Sequence, residues 1–428
     1  MTTAAPTSGP TPRRLLVRDL AQLATPAAGL GPLRGDRRGD VVVLDDAYVL
    51  CDGGHVAEVG RMRDLGGRGR LDGDVEELDA SGCCAVPGLV DCHTHACFAG
   101  DRVEEFALRA SGASYEELHA AGGGILATVH ATRAAGEAAL ADAVRRNREA
   151  MLRQGTTTFE AKSGYGLDRE TELASLRAIR AAGGVATWLG AHAVPPEFAD
   201  AEAYLDFALC EVLPDAAGLA EAADVFLERN AFDAPQARRY LSACAEQGLA
   251  LRLHGDQFTE SGAIPLAVEL GACSVDHLEA TGHDGIRALA TSGVTAVLLP
   301  ASALFLDRPM PPARALLDAG AIVALATDFN PGSAYCESLP LVASLAATQL
   351  HMSVEETLCA LTANPAHVLG RGDRKGRIAP GYDADLVLLD APDWRYLAYH
   401  LAGDVVAEVL VGGERAGQRP PVAPAPLG

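Results

Sequence analysis

The chain has few basic residues for its size. Lysine and arginine together number 35 against 57 aspartates and glutamates, which gives a formal net charge of -22 over 428 residues. A nucleic-acid surface needs clustered Lys and Arg, because the phosphate backbone must be neutralised. The composition therefore argues against nucleic acid as a partner, and the acidic excess favours solubility.

Long hydrophobic runs are also missing. No uninterrupted apolar stretch approaches the roughly 18 residues that a membrane-spanning helix requires. The first ten residues, Met-Thr-Thr-Ala-Ala-Pro-Thr-Ser-Gly-Pro, lack the basic start and apolar stretch of a signal peptide. The ten cysteines form no Cys-x-x-Cys motif, which is typical of reduced, buried thiols. We therefore expect a cytoplasmic protein without a membrane partner.

What the sequence does contain is a long alternation of strand-like and helix-like segments. Residues 86–368 alternate short apolar runs with Ala-rich helical patterns, one of them over 133–153. Repeated units of this size predict an α/β fold, a parallel (β/α)₈ TIM-like barrel. The eight predicted strands contain Leu89-Val90, Thr156–Phe159, Ala186–Leu189, Val225–Leu227, Leu249–Leu253, Cys273–Val275, Ala296–Leu299 and Ile322–Leu325.

The two ends of the chain have a different pattern. Residues 14–85 and 369–416 contain short β-like runs separated by turn residues. We predict that the two regions combine into one small β-sandwich domain beside the barrel. Residues 1–13 and 417–428 are rich in Pro, Ala, Thr and Gly and are predicted to be disordered tails.

Polar residues follow several of the apolar runs. His93 and His95 come directly after the first run, and a spacing of two places them on one face of a strand. His192, His254 and His277 follow later runs, and Asp328 follows the last. A barrel of this type carries its active site at the C-terminal strand ends, so these side chains should meet there.

This series predicts metal-assisted hydrolysis. A single His-x-His is often incidental, and His254 alone could be a core histidine, but five polar strand ends in order favour a site. His93, His95, His254 and Asp328 are nitrogen and carboxylate ligands suited to one divalent ion, Zn²⁺ or Fe²⁺. His277 is the candidate acid/base group, and Asp328 could share that role.

With these residues in place, the chain resembles the amidohydrolase superfamily over about residues 85–412. The His93-Thr94-His95 and Ser274–Leu278 blocks are similar to features found across that superfamily. Three further blocks narrow the resemblance to members that open a cyclic amide in histidine degradation: Lys162–Leu167, Gly190–Pro195 and Ala326–Ser333.

The resemblance implies hydrolysis of 4-imidazolone-5-propanoate to N-formimidoyl-L-glutamate. It implies that Arg102 and Tyr165 hold this anionic substrate, since a guanidinium matches a carboxylate. His192 would orient or polarise the ring carbonyl. Asn330, Gly332 and Ser333 would line the pocket, with Tyr115 as a weaker candidate. A homodimer is a further expectation from the resemblance.

Two positions depart from patterns found among relatives. Three residues after His254, some relatives have glutamate where this chain has Gln257. We predict that Gln257 binds the substrate, since glutamine can orient a ring nitrogen or water but cannot take up a proton at neutral pH. Two-metal relatives carry a modified lysine on the fourth strand, whereas Val225–Glu228 has none. We therefore expect one metal, and we expect Lys162, after the second strand, to anchor a loop.

Three alternatives stay open at this point. Another one-metal amidohydrolase, such as a deaminase of a cyclic amidine base, would share the ligands, although Arg102 favours an anionic substrate. An inactive relative with an interaction role should have lost ligands, and none is lost here. A hydrolase of the open-chain formimino product should not require His192.

Overall fold

The computed structural model describes residues 14–29, 31–66, 74–112, 124–229 and 231–418. These residues form sixteen β-strands. In chain order they are β1 (Arg14–Pro26), β2 (Val41–Asp52), β3 (His55–Arg61), β4 (Val75–Asp79), β5 (Cys84–Pro87), β6 (Leu89–Asp91), β7 (Thr156–Lys162), β8 (Val185–Ala191), β9 (Ala222–Leu227), β10 (Ala250–Gly255), β11 (Ser274–His277), β12 (Thr295–Leu298), β13 (Ile322–Leu325), β14 (Leu386–Leu389), β15 (Val406–Val411) and β16 (Glu414–Gln418).

The α-helices lie mostly between the strands of the middle region. They are α1 (Val103–Ala110), α2 (Ile125–Arg153), α3 (Arg169–Ala181), α4 (Ala201–Phe207), α5 (Leu213–Ala216), α6 (Ala234–Glu246), α7 (Ala263–Leu270), α8 (His283–Thr291), α9 (Pro300–Phe305), α10 (Ala313–Ala319), α11 (Leu339–Thr348), α12 (Val354–Leu361), α13 (Ala363–Val368) and α14 (Tyr396–Tyr399). None of the helices in the described ranges has the length and hydropathy needed to cross a membrane.

Strands β6 to β13 form the predicted parallel barrel. They pair side by side in sequence order, and each of the eight predicted runs supplies one strand. The two ends of this sheet meet beyond the strands themselves, where Thr94 forms a parallel bridge with Phe329. There the His95 amide donates to the Phe329 carbonyl at 2.9 Å, and the Asp328 amide donates to the His93 carbonyl at 3.1 Å. Closure therefore places the residues that follow β6 beside those that follow β13.

Local signals set the helix boundaries. The Asp168 carboxylate accepts from the Thr171 amide at the start of α3, which satisfies a backbone donor that the helix leaves free. Helix α2 begins eight residues before the predicted segment 133–153, and Gly136, with a φ of 73°, interrupts it near that predicted start. Only glycine adopts such a φ at little cost, so α2 is two helical segments joined at Gly136.

The strands from the two ends of the chain form a separate sheet, as predicted. Its order is β16-β15-β14-β5-β1-β2-β3, with β4 also paired to β1, so C-terminal strand β14 lies against N-terminal strand β5. Strand β1 pairs with β4 over Arg14–Arg18 and with β5 over Gln22–Leu23. The sheet buries an apolar cluster that includes Leu20, Leu23 and Leu386.

The ends of this sheet refine two details of the sequence prediction. Two of the short β-like runs of the N-terminal region, Val41–Leu44 and Ala47–Leu50, are parts of one strand, β2. Strand β16 extends to Gln418, so the C-terminal tail begins at least two residues later than the predicted boundary at 417. The other domain boundaries stay predictions, and residues 1–13 lie outside the described residues.

Candidate active site

A cavity of about 430 Å³ opens at the C-terminal end of the barrel strands. Residues from distant parts of the chain meet there because parallel strands all present their carboxyl ends to one side. Eleven of the predicted site residues line it: His95, Arg102, Tyr165, His192, His254, Gln257, His277, Asp328, Asn330, Gly332 and Ser333. His93 lies behind the wall and is fully buried, whereas Tyr115 falls outside the described residues.

The histidines and Asp328 converge at the floor of this cavity. The Nε2 atoms of His93 and His95 lie 3.5 Å and 3.4 Å from Oδ1 of Asp328. The Nε2 atoms of His95 and His254 are 3.2 Å apart. Ligand atoms of His93, His95 and Asp328 lie within 4.8 Å of one another, as do those of His93, His254 and His277. Such a cluster can surround one cation.

Two of these histidines are oriented by buried carboxylates. His93 Nδ1 is 2.6 Å from Oδ2 of Asp276, and His254 Nδ1 is 3.0 Å from Oδ1 of Asp224. A carboxylate accepts, so each Nδ1 carries the proton and each Nε2 directs a lone pair at the centre. Carboxylate partners of this kind orient metal-binding imidazoles.

The electrostatics of the cluster fit a metal ion. Burial, followed by the nearby Lys162 ammonium, holds the pKa of His93 well below its usual value. Burial and the neighbouring His192 do the same to the pKa of His95. Neutral imidazoles keep their lone pairs available. His93 Nε2 is buried without a hydrogen-bond partner among the described residues, a costly state that a bound cation would relieve.

The backbone is strained where two of the site residues sit. His277 has a φ of 86° and Asp328 a φ of 55°, both in the left-handed region. Residues other than glycine adopt this region only when the surrounding structure holds them there, and such residues cluster at functional sites.

His277 and Asp328 have perturbed acidities. Burial opposes the imidazolium form of His277, but the Glu279 carboxylate, 3.5 Å from Nδ1, and Asp328 outweigh it and raise its pKa. Burial raises the pKa of Asp328, although the nearby His277 opposes that change. A buried imidazole and a buried carboxylate with raised pKa values hold a proton more readily than free side chains, which suits them to exchange protons with a reacting molecule.

His192 offers an acceptor to the cavity. Its Nδ1 donates to the Gly164 carbonyl at 2.9 Å, and burial lowers its pKa to about 3, so the ring is neutral. In this tautomer Nε2 has only a lone pair. An acceptor cannot donate to a carbonyl oxygen, so this tautomer does not suit the predicted action of His192 on the ring carbonyl and instead suits acceptance from an N–H group.

Arg102 also lines the cavity. Its Nε donates to Oε2 of Glu105 at 2.8 Å, and its Nη2 pairs with the other carboxylate oxygen. Its Nη1 lies against Gly332, where a Cβ atom would come within 2.0 Å. Asn330 Oδ1 shapes this loop by accepting from the amides of Gly332 (2.8 Å) and Ser333 (2.7 Å). The pairing with Glu105 fixes the guanidinium, and Nη1 has no hydrogen-bond partner among the residues that the structure describes.

One prediction from the sequence is wrong, and three residues that support the site were not predicted. Lys162 does not lie after the second strand as a loop anchor: it is the last residue of β7, is fully buried and pairs with Glu160 and Asp224. Asp224 and Asp276 were missed. Asp224 is an acidic residue inside an otherwise apolar strand, which is an informative signal. Asp276 directly precedes His277 in β11. Glu105, three residues after Arg102, was also missed.

A parallel barrel with neutral histidines and an aspartate at its C-terminal end defines a metal-dependent hydrolase. The model of the amidohydrolase family matches residues 84–416, and the chain belongs to that family.

Within this family the chain belongs to the imidazolonepropionases. It is 59% identical over 405 residues to the imidazolonepropionase of Rubrobacter xylanophilus, covering 93% of this chain and 97% of that protein. It is 44% identical over 422 residues to that of Chloroflexus aggregans, covering 94% and 98%. The guanine deaminase of C. acetobutylicum is similar in fold, with a TM-score of 0.70 at 14% identity, covering 94% of this chain and 100% of that one.

Proposed function

We propose that this protein hydrolyses the cyclic amide of 4-imidazolone-5-propanoate to N-formimidoyl-L-glutamate, a step of histidine degradation. The observation that carries the proposal is one cavity that combines the histidine–aspartate cluster, the acceptor Nε2 of His192 and the guanidinium of Arg102. The 59% identity to an imidazolonepropionase supports the same substrate.

The metal is proposed to be one divalent ion, Zn²⁺ or Fe²⁺, held by His93, His95, His254 and Asp328. Bound there, it would supply Lewis acidity toward a carbonyl oxygen and lower the pKa of water. A single ion is supported by β9, which carries Asp224 at the position facing the site and no lysine. Lys162 pairs with this aspartate as an ammonium, because the Asp224 and Glu160 carboxylates outweigh burial and raise its pKa.

The chain's own residues bind and orient the substrate. Arg102 would pair with the propanoate group, and a charge-assisted contact of this kind fixes orientation as well as affinity. His192 Nε2 would accept a hydrogen bond from a ring N–H. The Tyr165 ring lies 5.3 Å from that of His192, and burial raises the pKa of its hydroxyl, which therefore stays protonated and can donate.

His277 and Asp328 would transfer the protons in the reaction. The water oxygen bonds to the ring carbonyl carbon, the adjacent ring C–N bond breaks, and the departing nitrogen gains a proton. Asp328 and His277 together would take the proton from water and return one to that nitrogen. Gln257 lines the cavity but cannot serve as this base, so its proposed role is positioning.

A substrate comparison tests the proposed reaction. We expect purified enzyme to consume freshly made 4-imidazolone-5-propanoate, followed by its ultraviolet absorbance, without release of ammonia. Metal analysis of the same sample would identify the ion. Ammonia release from a cyclic amidine base, with no opening of the imidazolone ring, would instead establish the deaminase alternative.

Arg102→Ala tests the carboxylate contact. We expect KM for 4-imidazolone-5-propanoate to rise about 10- to 100-fold, the effect of losing a hydrogen bond to a charged group. An analogue with a methyl group in place of the propanoate is the control, since wild type and variant should then have similar KM values. An unchanged KM for the full substrate would exclude this role.

We also propose a homodimer, the assembly that the family resemblance implies. Sedimentation of the purified protein at several concentrations would measure its mass in solution, and a monomer at every concentration would contradict the proposal.

A further inference from the structure

Five charged side chains form a buried layer directly behind the histidines. These residues, the charged layer, are each at most 2% exposed: Glu160, Lys162, Asp224, Arg252 and Asp276. Burying charges is costly unless they are paired, so a cluster of this size needs a physical reason.

Lys162 connects the members of the charged layer. Its Nζ lies 2.8 Å from Oε1 of Glu160 and 2.9 Å from Oδ2 of Asp224. Arg252 Nη1 lies 3.4 Å from the same Glu160 oxygen, and Arg252 also donates to the Cys92 carbonyl. Three carboxylates and two cations leave the layer with one net negative charge, which favours a cation next to it.

Each carboxylate of the layer also contacts a proposed ligand histidine or the segment that carries two of them. Asp224 contacts Nδ1 of His254 and Asp276 contacts Nδ1 of His93. Glu160 Oε2 accepts from the amide of Thr94, the residue between the two histidines of the His-x-His pair, at 3.1 Å. Lys162 therefore pairs with two carboxylates that hold separate parts of the cluster.

We propose that Lys162 is a positioning residue of the metal centre: by pairing with Asp224 and Glu160 it holds His254 and the His93–His95 segment in their metal-binding orientation. Asp224 uses one carboxylate oxygen for Lys162 and the other for His254. The ammonium thus keeps the carboxylate turned so that His254 Nε2 faces the centre.

The composition of the chain supports a specific need for an ammonium here. The sequence has only two lysines, Lys162 and Lys375, against 33 arginines. An ammonium is a compact point charge with donors in three directions, whereas a guanidinium is broad and planar. Glu160 and Lys162 are two residues apart on β7, so both side chains point to the same face, and there Lys162 also reaches Asp224 on β9.

The experiment measures the affinity of metal-free protein for Zn²⁺ by competition with a chelator. We expect Lys162→Met to weaken Zn²⁺ binding about 10- to 100-fold, the usual effect of losing a group that orients a ligand. Lys375→Met is the matched control, because Lys375 also pairs with two carboxylates, Asp383 and Asp385, but in the terminal sheet region. It should bind Zn²⁺ as the wild type does.

A second comparison separates positioning from general destabilisation. If Lys162 acts in part through Asp224, then Lys162→Met should cause a smaller further loss of Zn²⁺ affinity in an Asp224→Asn background than in the wild type, because only the route through Glu160 remains. Independent, additive losses would contradict this route. Equal affinity of Lys162→Met and wild type, within about twofold, would overturn the proposal.

A charge-balanced variant covers the case in which Lys162→Met does not fold. Glu160→Gln combined with Lys162→Met keeps the net charge of the layer unchanged, and we expect it to fold and still bind Zn²⁺ about 10- to 100-fold more weakly. Wild-type affinity in that variant would also overturn the role of Lys162. The inference rests on the proposed ligands and not on the substrate, so failure of the imidazolone assay alone would leave this result standing.

Discussion

The two eight-stranded sheets of this chain use their buried interiors differently. The terminal sheet encloses an apolar cluster, with side chains such as Leu20, Leu386 and Leu388 almost fully buried. The barrel also has an apolar core, but toward the C-terminal ends of its strands it buries Lys162, Asp224 and the histidine cluster. Apolar burial stabilises a fold, whereas buried charge is costly, so the second arrangement indicates function rather than stability.

The largest expected effect comes from removing an imidazole at the barrel end. His254→Ala should lower kcat/KM at least about 10³-fold, equivalent to about 4 kcal/mol of transition-state stabilisation, because a proposed metal ligand is lost. Steady-state kinetics and circular dichroism of the same sample check activity and fold. His367→Ala, an exposed histidine on α13, is the control. Full activity of His254→Ala would remove this residue from the ligand set.

In the terminal sheet we expect a substitution to lower stability and to leave activity unchanged. Leu386→Ala should cost about 2–5 kcal/mol of unfolding free energy, the range for deleting a buried leucine side chain. The kcat of the folded fraction should be unchanged, because the cavity is built from barrel residues. Urea unfolding and kinetics measure the two quantities, with the exposed Val42→Ala as control. A fall in kcat at conditions where the variant is fully folded would show that the two sheets are functionally coupled.

A smaller effect is expected from a substitution beside Arg102, at the same end of the barrel. In Gly332→Ala the new Cβ would lie 2.0 Å from Nη1 of Arg102, so the guanidinium must move. Because a flexible side chain can give way, stability should change little, while KM should rise about tenfold through a weakened charged contact. Gly293→Ala is the matched control, since its Cβ would meet no atom within 4 Å. A large loss of stability with normal KM would contradict this explanation.

Much of the architecture was predictable because hydrophobic periodicity is local. The eight apolar runs became the eight barrel strands, and the β-like runs at the two ends became one sheet. The His-x-His pair, the later histidines and Asp328 were found because each follows an apolar run. The parallel barrel then implies that strand ends meet on one side.

The contacts behind the cavity could not be predicted in this way. Lys162 belongs to a block that looks like a loop in the sequence, yet closure of the barrel buries it between Glu160 and Asp224. The partner of His254, thirty residues upstream, depends on the register between β9 and β10. Likewise, the tautomer of His192 depends on its contact with the Gly164 carbonyl.

The sequence by itself determined which segments are strands and which polar residues stand at their ends, because side-chain periodicity and apolar burial act along the chain. Only the tertiary structure decided which charges pair, which ring nitrogen carries the proton and which residue supports another. Those outcomes depend on distances and desolvation between segments far apart in sequence, and they arise only when the barrel closes.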